Sequence, residues 1–421
     1  MTKKGTLLLL CSCLVMMLTD VLSLKAQRLL YPTHFNLSEV TLLDSPFKQA
    51  MDRNCQALLD FDTDRLLTPF VRQAGLSSTD NSTYAGWETK HPAFESWAWN
   101  PDMAMDGHVT GHYLSALSMS YAASRDESMR AKLLERINHI VDVFCDCQTV
   151  FDNDKNGMKG FIGGLPDNEI WKTLYSGDYR VYNQRGNWVP FYCEHKVMAG
   201  LRDAYVHAGN TKARDAFQKM ADWVIDLVRN FKDVDMEMQI LQWEPGAINE
   251  VLADAYYLFD EGKYLRAANK FSHQIMVENI LRDDTHDFMN LKNVNESTAK
   301  FLGYARISEL KKEERYDRAV NVFWNDIVGR RMTTINGTGI NGNFQPVNKS
   351  TRFIAEADGP DACGTYNMLK LAERLFDRRR QFQKVQNGFF CVVRHGLVDA
   401  YAETFHRPGM VRHYCSPPFS S

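Results

Sequence analysis

Val197–Phe231 reads VMAGLRDAYVHAGNTKARDAFQKMADWVIDLVRNF. Two apolar patterns of helical period flank one turn signal. Val197, Met198, Leu201, Ala204 and Tyr205 recur at three- and four-residue steps, and so do Phe217, Met220, Ala221, Val224, Leu227, Val228 and Phe231. Residues at that spacing share one face of an α-helix. Gly209-Asn210 between the patterns supplies a helix stop followed by a helix start. So short a connection makes the two helices antiparallel neighbours.

The same unit recurs along the chain. Val251, Leu252, Ala255, Tyr256 and Phe259 precede the turn signal Asp260-Glu261-Gly262, and Met368, Leu369, Leu371, Ala372 and Leu375 repeat the helical period. Only Phe35–Leu43 alternates apolar and polar residues as a short strand does. Helical hairpins without a strict sequence repeat favour a closed ring over an array of near-identical units. Thr333–Pro360 is rich in Gly, Asn and Thr and reads as a long surface loop.

The 421 residues are 44% hydrophobic and 24% charged, with a net charge of -3. That is the profile of a soluble globular protein, with no basic excess to attract nucleic acid or an anionic membrane. Lys3-Lys4, the apolar run Leu7–Leu18 and Leu24-Lys25-Ala26 form a secretory signal peptide over residues 1–26. Residues 27–421 then form one exported domain, periplasmic or extracellular, without a membrane span. Cys55, Cys145, Cys147, Cys193, Cys363, Cys391 and Cys415 remain, an odd set of irregular spacing that suggests no disulfide framework.

Four stretches carry candidate chemistry. His108 and His112 stand one helical turn apart, but lack the glutamate and third ligand of a zinc site, so they read as hydrogen-bonding histidines. Trp188–Lys196 crowds aromatics beside Glu194 and His195, a mixture suited to stacking on sugar rings and binding hydroxyls, and equally to an amphipathic helix start. Glu244 and Glu250 near a helix start read as paired carboxylates for glycosidic acid/base work, while Asn249 or Glu250 equally reads as a cap and charge for that helix N-terminus. In Glu356–Tyr366, Asp361 stands two residues before Cys363, which puts oxygen and sulfur within reach of one cation. An acidic helix start followed by a buried cysteine is the plainer alternative.

These stretches resemble a known family. Gly111-His112-Tyr113-Leu114-Ser115-Ala116-Leu117, Tyr192-Cys193-Glu194-His195-Lys196-Val197-Met198-Ala199-Gly200-Leu201, Asn249-Glu250-Val251-Leu252-Ala253, Phe301-Leu302-Gly303-Tyr304-Ala305-Arg306 and Cys363-Gly364-Thr365-Tyr366-Asn367-Met368-Leu369-Lys370-Leu371 follow the order and approximate spacing of the β-L-arabinofuranosidases, glycoside hydrolase families 127 and 146. The resemblance implies an (α/α)6 toroid followed by β-sandwich domains. It also implies retaining hydrolysis of L-arabinofuranose from plant glycans by a cysteine thiolate held on zinc, with a glutamate as acid/base. It assigns zinc to Asp361 and Cys363, and substrate contacts to His112, Trp188, His195 and Glu250.

Departures from the pattern matter as much. Asp361 replaces a zinc-binding glutamate, Gly342 falls where the acid/base glutamate belongs, and Asn293 replaces a histidine. The family's adjacent cysteine pair, nucleophile included, follows a stretch like Tyr414–Ser421, where this chain stops; in another alignment Cys415 is one of that pair. Glu356 and Cys415 are left as the catalytic candidates. The expectation is an all-α, incomplete (α/α)6 toroid with a short N-terminal strand and no C-terminal β-sandwich, of weak or absent activity. The alternatives are a glycan-binding pseudoenzyme and a truncated reading frame.

Overall fold

The structure is a computed structural model that describes residues 36–77, 105–166, 168–179, 189–242, 244, 246–332, 337–347, 349 and 362–379. In chain order its helices are α1 (Pro46–Asp60), α2 (Thr63–Gln73), α3 (His108–Ala123), α4 (Glu127–Val150), α5 (Glu169–Tyr175), α6 (Pro190–Ala208), α7 (Thr211–Leu227), α8 (Ile248–Phe259), α9 (Gly262–Lys270), α10 (Gln274–Arg282), α11 (Val294–Lys311), α12 (Glu314–Asp326) and α13 (Ala362–Arg379). A turn at Asp233–Asp235 runs into a π-helical segment, Met236–Leu241, and a second, Ile327–Arg331, extends α12. The described residues contain two isolated β-bridges and no strand.

The turn signals do what their chemistry dictates. Gly209 ends α6 in the left-handed region at φ 71°, and the Asn210 side chain accepts the Ala213 N–H to start α7. Asp260 ends α8 at φ 59°, and α9 begins two residues on. Each hairpin contributes one inner and one outer helix. Inner helices α3, α6, α8, α11 and α13 pack successively against one another, while α4, α7, α9 and α12 pack behind them. This is the wall of an α/α toroid. The layers differ in surface pattern: α7 buries one stripe, whereas α6 buries every residue from Pro190 to Ala204.

Glycines set the inner spacing. A Cβ on Gly111 of α3 would strike the Lys196 carbonyl of α6, and one on Gly200 would lie 2.7 Å from the Gly111 oxygen. Without side chains, the two backbones come into direct contact. Gly303 of α11 likewise accommodates the Asn249 side chain of α8, and Gly364 of α13 accommodates Val294.

Two expectations need correction. Phe35 lies outside the described residues, and Leu37–Glu39 is a 3₁₀ turn instead of a strand. Its alternation is not matched by a partner strand, and the Asn36 N–H donates to the Glu39 carboxylate, which favours a helical turn. The described part of Thr333–Pro360 is no surface loop either: Thr338, Ile340, Phe344 and Gln345 are buried. Its backbone is satisfied internally, since Val294 N–H donates to Gly342 O (2.8 Å), Phe344 N–H to Lys292 O (2.9 Å) and Arg331 to Gln345 O (2.8 Å). Cys55, Cys145, Cys147, Cys193 and Cys363 form no disulfide. No described helix is long and apolar enough to cross a membrane.

Candidate active site

The five inner helices meet around a small, partly open cavity lined chiefly by His112, His195, Lys196, Glu250, Tyr366 and Lys370. The wall is polar because inner-helix residues have no other solvent to face.

Glu250 anchors the site. It sits in the first turn of α8, fully buried, and its carboxylate receives Arg374 Nη2 at 2.8 Å and Lys370 Nζ at 3.1 Å. Burial alone would raise its pKa, but Lys370, His195 and Arg374 outweigh that and hold it well below the usual carboxylate range. Of the two sequence readings, capping charge or chemical group, the side chain follows the second: it points to cations of α13.

Glu250 is one link in a chain of buried ion pairs. Asp203 meets Arg202 (2.9 Å), Arg202 meets Asp254 (2.7 Å), Asp254 meets Arg306 (2.7 Å) and Arg306 meets Glu309 (2.9 Å). Glu309 then meets Arg374 (3.2 Å), which returns to Glu250. With Lys370 included, four acids balance four bases across α6, α8, α11 and α13. Isolated charges in such a setting would be costly, and alternation is what makes them tolerable.

The histidines are neutral. His195 is buried, both ring nitrogens lack a hydrogen-bond partner, and Glu250 Oε2 lies 3.8 Å from Nε2. Burial and the neighbouring Lys196 push its pKa down to about 3. His112 opens onto the cavity while protein surrounds it, and desolvation together with Lys196 lowers its pKa well below normal. A neutral imidazole offers one donor and one acceptor, the pair a sugar hydroxyl needs. His108 is instead tied to Met105 O at 2.6 Å and serves the frame.

Glu244 does not pair with Glu250. Its carboxylate accepts the backbone N–H groups of Phe191 (3.0 Å) and Tyr192 (3.1 Å), so it caps α6 from a distant segment. Asn293 caps α11 through the Glu296 N–H (2.9 Å). Glu194 lies against Gly163, with one oxygen unpartnered, and burial raises its pKa well above normal.

Trp188, Glu356, Asp361 and Cys415 lie outside the described residues. Cys363 is exposed in the first turn of α13. Among the described residues no group of three or more His, Cys, Asp or Glu gathers at metal-binding distance. A closed zinc site takes four ligands; of the candidate ligands only Cys363 lies among the described residues, and no step is routed through the metal. Lys196, Lys370, Arg202 and Arg374 were missed as site residues. For Lys196 and Arg202 the signal was a charge embedded in a helix segment with no polar face.

What the helix packing defines is an α/α-toroid protein. The chain belongs to the β-L-arabinofuranosidase family: the profile described as "Beta-L-arabinofuranosidase, GH127 catalytic domain" matches residues 39–386. Among solved structures, a GH127 β-arabinofuranosidase is 16% identical with a TM-score of 0.55, covering 86% of this chain and 54% of its own. A GH127 β-L-arabinofuranosidase from Geobacillus stearothermophilus T6 is 14% identical with a TM-score of 0.57, covering 85% and 56%. The chain thus spans about half the length of these relatives. No curated protein matches it.

Proposed function

We propose that this chain binds the terminal β-L-arabinofuranosyl unit of a plant glycan in the inner-helix cavity and hydrolyses it weakly or not at all. The observation that carries this reading is the state of the cavity's acids and bases. Two neutral imidazoles, His112 and His195, stand beside an ionised Glu250, a set suited to holding sugar hydroxyls.

The same set is poorly suited to glycosidic cleavage. A general acid must be protonated near neutral pH. Both carboxylates of the described lining, Asp203 and Glu250, are held ionised by neighbouring cations. Glu194 has its pKa raised by burial, but it is not part of the cavity lining. Gly342 aligns with the family's proton donor and contributes only a backbone carbonyl, to Val294.

In this reading residues 1–26 direct export, and the chain meets its glycan outside the cytoplasm. Zinc, if taken up, draws on Cys363 and Asp361. The test combines zinc stoichiometry, saturable binding of methyl β-L-arabinofuranoside, and arabinose release from a 4-nitrophenyl β-L-arabinofuranoside. The expected result is binding that His195→Ala abolishes, with turnover about 10²–10⁴-fold below that of an active relative. Turnover equal to the relative's would sink the claim of lost activity. Absence of saturable binding would sink the sugar site itself.

A further inference from the structure

Lys196 differs from every other cation in the cavity wall. Arg202 and Lys370 each hold a carboxylate. Lys196 holds none: its close partner is the face of Tyr192, whose ring centroid lies 4.4 Å from Nζ. Yet Lys196 is buried, 7% exposed, and lines the cavity.

A buried ammonium without a counter-charge is costly, and an aromatic face offsets only part of its lost hydration. Burial and Lys370 together push its pKa down to about 8. The ion-pair chain around it is self-balanced, four acids to four bases, so the cavity's surplus charge of one rests on this residue. Glu250 attracts it from a distance, but no described carboxylate forms an ion pair with it.

We infer that the cavity is built for an anionic sugar, with Lys196 receiving the carboxylate of a uronic acid unit in the bound glycan. This rests on the cavity being the sugar site and deepens it by naming the charge of the ligand. A singly charged carboxylate matches the surplus of one. His112 and His195, kept neutral by the protein packed around their rings and by the same lysine, donate to and accept from the hydroxyls of that ligand.

The test uses the full chain and three probes: methyl α-D-galacturonate, its neutral methyl ester, and methyl β-L-arabinofuranoside, each titrated calorimetrically at about pH 6.5, where the lysine is charged. The acid should bind about tenfold more tightly than its ester, the contribution of one charge-assisted hydrogen bond. That preference should vanish in Lys196→Met, survive in Lys196→Arg, and shrink as salt is raised. Equal affinity for acid and ester in the unaltered chain overturns the inference whatever the variants do, as does a preference that persists in a folded Lys196→Met. Loss of arabinofuranoside binding with the acid preference intact would instead refute the arabinose reading and leave this one standing.

Discussion

The inner and outer helices of this toroid use charge in opposite ways. On the outer face, ion pairs such as Lys48–Asp52 and Lys212–Asp142 are isolated and more than 30% exposed on both partners. On the inner face, Arg202, Asp254, Arg306, Glu309, Arg374 and Glu250 form one continuous run whose side chains are 18% exposed or less. Water screens the first group, so each pair contributes little. No solvent is available to the second, so each member depends on the next. The layers teach that charge within a helix carries structural weight only where the helix has no wet face.

The contrast can be broken most forcefully at Arg374. Arg374→Met leaves Glu250 only Lys370 and Glu309 only Arg306 as cation partners, and is expected to cost about 3 kcal/mol of stability in urea unfolding. Adding Glu250→Gln should recover part of that loss; strict additivity of the two changes would mean that the run is not coupled. Next comes the inner packing. Gly111→Ala forces α3 and α6 apart and should cost about 1–3 kcal/mol, whereas Gly329→Ala, with open space around it, should be neutral or stabilise by about 0.5 kcal/mol.

The two buried glutamates sharpen the comparison by pH. Glu194 has a raised pKa, so the folded state holds its proton longer. Its contribution declines as pH rises above the ordinary glutamate value of 4.5, by at most about 1.4 kcal/mol per pH unit. Glu194→Gln should remove that alkaline decline. Glu250 has a lowered pKa, so its contribution is full above 4.5 and is lost as pH falls below it. Glu250→Gln should flatten the acid limb instead, and a stability profile in which both variants change the same limb would contradict the assignment. Smallest of all, Lys48→Ala on the outer face should cost less than about 0.5 kcal/mol, a difference that added salt erases.

Much of this architecture was readable in the chain. The Gly209-Asn210 and Asp260–Gly262 turns and the periodic runs around them became helices and caps. His112, His195 and Glu250 do share one cavity. The charge run was not readable, because an apolar stripe implies a polar face in water and assigns charges to it. Arg202 and Asp254 occupy helix segments buried on every side, and the pairing of Glu250 with Arg374 spans 124 residues. Glu244 was misplaced for a related reason: its nearest helix in sequence is α8, yet it caps α6, and only the folded path brings them together. Leu37–Glu39 shows the converse, a local alternation that means nothing without a strand beside it.

The contact between Gly111 and Gly200 reaches beyond packing. Two of the segments by which this polypeptide resembles its lineage meet where two backbones touch, and touching is a requirement of assembly, not of turnover. A descendant stripped of its chemistry would therefore keep the same signature for as long as it kept its shape. In this lineage a matched signature certifies the scaffold, and the capacity to cleave a bond has to be sought among the groups that face the hollow.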